Sequence, residues 1–182
     1  DSAIKLLLVE DDFLIALSQQ KKLERYGYSV VHAGRAQAAI TAVNDDPTLN
    51  LVLMDIDLGP GIDGTQAAQT ILENKDIPIV FLSSHVEPEI VAKTEKITSY
   101  GYVVKDAGIV ALDASIKMAL KLFKEKTERS RAESALRESE QVFRKLFEDS
   151  ADAILLIDAT GVFVECNQAA LELLKMTREQ FL

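Results

Sequence analysis

The chain has 182 residues, of which 48% are hydrophobic and 27% charged, and its formal net charge is −9. These values are typical of a globular protein of one or two domains, and the acidic balance argues against sequence-independent nucleic-acid binding, which depends on Lys and Arg. No apolar run approaches the roughly 18 residues of a membrane-spanning helix, and the first residues predict no signal peptide. The single cysteine, Cys166, excludes an internal disulfide, so we expect a cytoplasmic protein.

Short apolar runs alternate with helical patterns between residues 3 and 108. Five runs predict β-strands, at 3–9, 29–33, 51–55, 77–82 and 100–104. The first, third and fourth runs are almost continuously apolar, which is typical of parallel strands covered by helices on both faces. The first helical pattern has an apolar stripe of Phe13, Leu14, Leu17 and Leu23. Five strands that alternate with five helices predict a doubly wound α/β domain with a five-stranded parallel sheet.

Carboxylates follow the first and third predicted strands. Glu10, Asp11 and Asp12 come after the first strand, and Asp55 ends the third. Ligands of open α/β sheets bind beyond the carboxyl ends of the strands, where the strand order reverses. If the first and third strands are neighbours there, Glu10, Asp11 and Asp55 converge. Three carboxylates raise one another's pKa unless a cation lies among them, and oxygen ligands without Cys or His favour Mg²⁺ over zinc.

The fourth and fifth strands end in residues of complementary chemistry. Ser83 and Ser84 end the fourth strand, and Lys105 follows the fifth. A carboxylate, a cation, a hydroxyl and an ammonium together suit phosphoryl transfer, and Asp is an accepted covalent phosphate acceptor. Each residue alone also fits a structural role, since acids cap helices, serines occupy turns and lysines lie in solvent. The prediction therefore depends on their occurrence together.

Four motifs resemble the response-regulator receiver domain of two-component signalling. They are LLLVEDD (6–12), LVLMDIDLGPGIDG (51–64), PIVFLSS (78–84) and GYVVKD (101–106). The resemblance covers about residues 2–124 and implies a flavodoxin-like sheet of strand order 2-1-3-4-5. It also implies that Asp55 takes a phosphoryl group from the phosphohistidine of a histidine kinase or phosphotransfer protein, with self-catalysed uptake and autodephosphorylation.

The resemblance assigns roles to the residues around Asp55. The implied ligands of Mg²⁺ are Glu10, Asp11, Asp55 and the backbone carbonyl of Asp57. Lys105 would pair with the phosphoryl oxygens as a catalytic residue beside Asp55. Ser83 would bond to the same oxygens, and Tyr102 would be the aromatic residue that changes rotamer as Ser83 moves.

Two features depart from the family pattern. The loop after Asp55 is one residue longer than usual, because Leu58 and Gly59 precede Pro60, so access to the phosphorylation site is expected to differ. Asp106 occupies the place of a proline that usually follows the lysine through a cis peptide. A cis bond before a non-proline residue costs about 2.5–4 kcal/mol, so the sequence leaves the isomer of this bond open.

The stretch from about 109 to 147 predicts one long helix, since no Gly or Pro occurs between Gly108 and Gly161. Three Glu–Arg pairs have the stabilising i,i+4 order: Glu125–Arg129, Glu133–Arg137 and Glu140–Arg144. Apolar residues form a coiled-coil-like seam at Leu112, Ile116, Ala119, Phe123, Leu136, Phe143 and Leu146. This seam favours a parallel homodimer over a solvated single helix.

The last residues predict a hairpin and a helix. AILLID and VFVECN flank a turn at Gly161, and Asn167 caps the following helix. One hairpin and one helix cannot form an independent core, so we expect the domain to continue. From about residue 143 the sequence resembles the opening of a PAS sensor domain, after a signalling helix. We therefore expect a receiver domain at 1–124, a linker helix at 125–147 and a PAS fragment at 148–182.

These patterns predict a phosphorelay module. Phosphorylation would switch the face formed by the fourth predicted helix, the fifth strand and the fifth predicted helix, and the dimeric helix would pass the change to a PAS-containing output. The resemblance implies that the parent protein is a histidine kinase, because proteins of this family often contain one. The sequence of residues 1–182 identifies no phospho-accepting helix.

Three alternatives stay open. DIDLG (55–59) offers the Asp-x-Asp motif of haloacid-dehalogenase-like phosphatases, but the further metal-binding acids of that family follow the lysine, whereas Glu10 and Asp11 precede it. An FMN-binding flavodoxin-type module needs a hydroxyl- and glycine-rich loop where this chain has acids. A pseudo-receiver would bind partners without phosphorylation, and the intact acids and lysine argue against it.

Overall fold

The computed structural model describes residues 3–84, 97 and 100–181. The chain divides into two compact units, residues 1–126 and 127–182. The helix predicted between the fourth and fifth strands falls on a stretch of which only residue 97 is described, and His85 lies outside the described residues. In chain order the elements are β1(Lys5–Val9), α1(Phe13–Arg25), β2(Ser29–Ala33), α2(Ala36–Asp45), β3(Leu51–Asp55), α3(Gly64–Asn74), β4(Ile79–Ser83), β5(Tyr102–Val104), a 3-10 turn (Lys105–Ala107), α4(Gly108–Glu148), β6(Leu155–Ile157), β7(Phe163–Cys166), α5(Gln168–Leu174) and α6(Arg178–Phe181).

The first unit contains a five-stranded parallel sheet of order β2-β1-β3-β4-β5, which confirms the predicted fold. Side chains alternate between the two faces of each strand. On one face, Leu7 and Val52 pack with the buried side chains of α2 and α3. On the other face, Leu6 and Leu53 pack with those of α1 and α4. Since both faces are covered, β3 and β4 are buried along their whole length.

The prediction for the apolar stripe of α1 was wrong in the first turns. Leu23 is fully buried, but Phe13 and Leu14 are 66% and 74% exposed, and Leu17 is also exposed. The core face of α1 runs through Ala16 and Leu23, which are seven residues apart and share one side of the helix. Phe13 and Leu14 lie off that side, so the helix presents an apolar surface to solvent.

Helix α4 is continuous from Gly108 to Glu148. The first half of the predicted seam belongs to the sheet, because Leu112, Ile116 and Ala119 are buried in the core of the first unit. The second half is exposed at Leu136, Phe143 and Leu146. Among the charged residues, Arg129 Nε donates to Glu133 Oε1 at 2.8 Å, an i,i+4 pair of the opposite order to the predicted ones.

The second unit contains the predicted hairpin, in which β6 and β7 pair antiparallel around a turn with Gly161 at φ +87°. Asn167 caps α5 by accepting from the Ala170 N–H at 3.0 Å. Its side chain is fully buried and also bonds backbone groups of Phe147, Asp152 and Ile154. Of the described helices, none combines the length and the apolar character needed to cross a membrane.

Candidate phosphoacceptor site

Acidic residues and a lysine meet at the carboxyl edge of the parallel sheet. Glu10 directly follows β1, Asp55 ends β3, Ser83 ends β4 and Lys105 directly follows β5. Because parallel strands end at the same edge, these side chains line one cavity of about 530 Å³. The strand order reverses between β1 and β3, which is where ligands bind in such sheets.

Lys105 forms two short ion pairs in this cavity. Its Nζ lies 2.6 Å from Glu10 Oε2 and 2.7 Å from Asp55 Oδ2. Glu10 is 1% exposed, Asp55 3% and the Lys105 side chain 12%, so all three charges are shielded from solvent. The Asp57 N–H donates to Asp55 Oδ1 at 3.3 Å and holds the other carboxylate oxygen of Asp55. Lys105 therefore fixes the relative position of the two buried carboxylates.

Burial dominates the protonation of the two acids. It raises the pKa of Asp55 and of Glu10 above the ordinary values, although hydrogen bonds from Lys105 act in the opposite direction. Burial alone would lower the pKa of Lys105, but its hydrogen bonds to Asp55 and Glu10 keep that pKa above the usual value. One ammonium faces two buried carboxylates, so the site has an excess of negative charge when both are ionised.

Glu10, Asp11 and Asp55 together could hold a metal ion. One carboxylate oxygen from each lies within 4.8 Å of the others, and Asp11 is exposed whereas its two partners are buried. All three ligands are oxygens, which is the donor set of hard divalent cations. The third acid after β1 has a different role, because Asp12 Oδ1 caps α1 by accepting from the Leu14 and Ile15 N–H groups.

The other predicted residues occupy the surroundings of Asp55. Ser83 is buried beside the cavity, and Asp57 is exposed in the loop that follows β3. Tyr102 is half-buried and packs against the core under α2 and α3. The described peptide bonds are all trans, which answers the question left open for the bond between Lys105 and Asp106.

Gly64 and Asp63 fix the loop that carries Asp57, a role that the sequence reasoning missed. A β-carbon at Gly64 would lie 1.8 Å from the carbonyl oxygen of Asp55, so only glycine allows α3 to begin against the end of β3. Asp63 caps the first turn of α3 and forms a capping box with Gln66, in which each side chain accepts from the backbone N–H of the other residue. An Asp-Gly step with Gln three residues after the Asp was the signal available in the sequence.

The first turns of α1 lie next to the cavity, and the sequence reasoning also missed them as a surface. Ile15 lines the cavity together with Asp12, and the exposed Phe13 and Leu14 lie between these two residues in the chain. The sequence pattern had placed Phe13 and Leu14 on one apolar stripe with Leu23, which is buried. An apolar surface beside a polar cavity is typical of an interaction site.

The model of the family "Response regulator receiver domain" matches residues 6–117. The chain belongs to this receiver-domain family. A PAS domain model matches residues 141–181, the end of α4 and the hairpin and helices that follow. The receiver domain of a two-component system and a PAS segment are thus both present in this chain.

Curated relatives of the receiver domain are regulators. The chain is 34% identical over 131 residues to YrkP of Bacillus subtilis, an uncharacterized transcriptional regulatory protein, and the match covers 69% of this chain and 54% of YrkP. It is 31% identical over 130 residues to the transcriptional regulatory protein PdtaR of Mycobacterium tuberculosis, with 70% of this chain and 62% of PdtaR covered. The chain therefore spans less than two thirds of the length of either relative.

One solved structure has a similar fold at higher identity. The N-terminal domain of a response regulator/sensory box/GGDEF 3-domain protein from Carboxydothermus hydrogenoformans is 40% identical and has a TM-score of 0.63. The match covers 68% of this chain and 98% of that domain.

Proposed function

We propose that Asp55 accepts a phosphoryl group from the phosphohistidine of a histidine kinase or phosphotransfer protein. The observation that carries the proposal is the ammonium of Lys105, which lies within 2.7 Å of Asp55 Oδ2 at the edge where the strand order reverses. This arrangement presents a carboxylate oxygen next to a positive charge, as phosphoryl transfer to Asp requires.

In the proposed step a carboxylate oxygen of Asp55 forms a P–O bond while the P–N bond to the donor imidazole breaks. The imidazole leaves with the electron pair and takes up a proton. Lys105 then pairs with the phosphoryl oxygens instead of the free carboxylate, and the Ser83 hydroxyl donates to the same group. In autodephosphorylation, water attacks phosphorus and the Asp55 carboxylate is the leaving group.

The donor set and charge of the cavity fit a divalent cation, and we assign it as Mg²⁺. Glu10, Asp11 and Asp55 would hold it together with the backbone carbonyl of Asp57. Such an ion neutralises charge that develops on the transferred group. The support from this chain is the cluster of three carboxylates and the excess of negative charge that Lys105 alone does not balance.

The exposed apolar turns of α1 support a protein, rather than a small molecule, as the phosphoryl donor. Phe13 and Leu14 are largely exposed beside Asp12 and Ile15 at the rim of the cavity. A partner that covers them buries apolar area at about 25 cal/mol per Å² while its phosphohistidine faces Asp55. A reducing cytoplasm, consistent with the single free Cys166, is the proposed location.

We further propose that the chain comprises a receiver domain (1–124), a linker helix (125–147) and a PAS fragment (148–182). Phosphorylation would draw Ser83 toward the phosphoryl group and let Tyr102 turn, which changes the surface of β5 and α4. A homodimer through α4 would pass this change to the PAS-containing output. The order of domains in the Carboxydothermus protein, whose name places a sensory box after the response regulator, supports this arrangement.

The test of the proposed function is phosphoryl uptake from acetyl phosphate with Mg²⁺, followed by intact-protein mass spectrometry. We expect the wild-type protein to gain one phosphoryl group and Asp55→Asn to gain none. Asp57→Asn is the matched control, because it changes an exposed carboxylate in the same loop and keeps the backbone carbonyl. Equal uptake by wild-type protein and Asp55→Asn would contradict the proposal, and no uptake by either would favour the pseudo-receiver. Among the described residues, no observation favours the phosphatase or the FMN alternative over the phosphoacceptor.

A further inference from the structure

The loop between β3 and α3 contains two glycines in the left-handed region of backbone space. Gly59 has φ +73° and Gly61 has φ +121°. They differ in their surroundings, because a β-carbon at residue 59 would lie 3.2 Å from Asp11 Oδ2, whereas one at residue 61 would meet nothing within 4 Å. Gly59 also lines the acidic cavity, and Gly61 is not among its lining residues.

We propose that Gly59 is a positioning residue for the Asp11 carboxylate and thereby for the cation that the cavity binds. The inference rests on the proposed function, since it concerns the same Mg²⁺ site. A separation of 3.2 Å is tighter than an ordinary carbon–oxygen contact, so a side chain at residue 59 has to displace the carboxylate or the loop.

The loop is held at both ends, so the displacement falls on Asp11. Leu58 is buried in the core under α2 and α3, and Gly64 donates its N–H to the Ile56 carbonyl at 2.9 Å. Asp11 is exposed whereas Leu58 is buried, so the Asp11 carboxylate is the group that gives way. The substitution therefore costs little in packing at this contact, but it moves one of the three oxygens of the carboxylate cluster.

Mg²⁺ is sensitive to such a shift because it requires near-ideal octahedral geometry. Mutation of groups that orient metal ligands typically costs 10–100-fold in metal affinity or activity. We expect Gly59→Ala to lower the affinity for Mg²⁺ by about tenfold, the lower end of that range. The longer loop after Asp55, in which Gly59 lies, would in this way affect cation binding as well as access to the phosphorylation site.

The experiment is a Mg²⁺ titration of the unphosphorylated full chain, followed by the amide resonances of Glu10 and Asp57 in two-dimensional NMR. We expect Gly59→Ala to bind about tenfold more weakly than wild-type protein and Gly61→Ala to bind within about twofold of it. Gly61→Ala is the matched control, since it introduces backbone strain in the same loop without a contact to Asp11. If Gly59→Ala does not fold, Gly59→Asn replaces it, because Asn tolerates the left-handed region.

A second pair of variants isolates the role of Asp11. In an Asp11→Ala background, Gly59→Ala should cause no further loss of affinity, because the displaced carboxylate is no longer present. The inference is overturned if Gly59→Ala and Gly61→Ala lose affinity equally, or if the loss persists without Asp11. A wild-type protein that binds no Mg²⁺ would overturn both this inference and the assignment of the cation in the proposed function.

Discussion

At the scale of single residues, the chemistry of the site follows from one lysine among three acids. Asp55 and Glu10 are buried, and each is paired to Lys105 at less than 3 Å. Burial still raises the pKa of both acids, so each carboxylate is protonated more readily in the folded protein than in the unfolded chain. The ionised carboxylates therefore lower the stability of the fold, and a bound cation would stabilise their charged form.

Replacement of Asp55 by Asn should stabilise the protein when no Mg²⁺ is present. The pKa of Asp55 is higher in the folded protein than in the unfolded chain. The contribution of this carboxyl group to stability therefore falls as the pH rises from the ordinary pKa to the raised pKa. The gain from Asp55→Asn should therefore be larger at pH 8 than at pH 4, which is near the ordinary Asp pKa of 3.8, on the order of 1 kcal/mol for each unit of pKa shift. Urea denaturation with EDTA at the two pH values measures it.

Asp46→Asn is the control of opposite sign. Hydrogen bonds from Lys5 and Thr48 hold the pKa of Asp46 below its usual range, so this carboxylate stabilises the fold above its ordinary pKa. The variant should be less stable than wild-type protein at pH 8, and the difference should shrink on acidification. A destabilised Asp55→Asn, or a gain that does not depend on pH, would contradict the account of the acidic cavity.

Sequence reasoning reached the residues of the cavity but not their pairings. Glu10, Asp55 and Lys105 follow predicted strand ends, and the rule that parallel strands end at one edge brings them together. The bridge from Lys105 to Glu10 depends on side-chain rotamers and on the depth of burial, which spacing does not encode. The contact between Gly59 and Asp11 depends on the path of an irregular loop, and no periodicity describes such a path.

At the scale of elements, hydrophobic patterning identified each strand of the sheet but misassigned parts of two helices. Continuous apolar runs indicate buried strands or buried helices, and the runs in this chain are short enough to indicate strands. An apolar stripe on a helix, however, can face the core or a partner. In α1 the first turns face solvent, and in α4 the first half of the predicted seam faces the sheet.

Two leucines of α1 test this assignment. Leu23→Ala should lower the free energy of unfolding by about 2–5 kcal/mol, because the side chain is fully buried. Leu14→Ala should change it by no more than about 0.5 kcal/mol, because Leu14 is 74% exposed. Urea denaturation of both variants provides the comparison, and phosphoryl uptake from acetyl phosphate by Leu14→Ala should equal that of wild-type protein. A large loss of stability in Leu14→Ala would show that the first turn of α1 belongs to the core.

At the scale of the whole molecule, one helix belongs to both compact units. Helix α4 contributes Leu112 and Ile116 to the core of the first unit and ends at Glu148 in the second. Several apolar residues of α4 are exposed. Val110, Met118 and Leu122 lie in the half of the helix that packs on the sheet, but they face away from it. The sequence predicted the length of this helix because it has no Gly or Pro, whereas which residues pack on the sheet depends on the tertiary fold.

Leu136→Glu should weaken the proposed homodimer. Leu136 is 61% exposed and carries the resumed apolar seam, so a carboxylate there would place like charges opposite each other in a parallel pair. Sedimentation velocity over a range of concentrations should give a larger monomer fraction than for wild-type protein. Ser134→Glu, two residues away and off the seam, should leave the monomer fraction unchanged. A wild-type protein that stays monomeric throughout would contradict the dimer.

The buried amide of Asn167 has a mechanical consequence for the second unit. Its Nδ2 donates to the carbonyls of Phe147 and Asp152, and its Oδ1 accepts from the N–H groups of Ile154 and Ala170. To slide or twist the end of α4 against α5, the protein would have to break hydrogen bonds worth about 0.5–1.5 kcal/mol each. These bonds therefore link the end of α4 to α5 and to the segment before the hairpin, so a shift of Phe147 relative to α5 would cost the hydrogen bonds of Asn167.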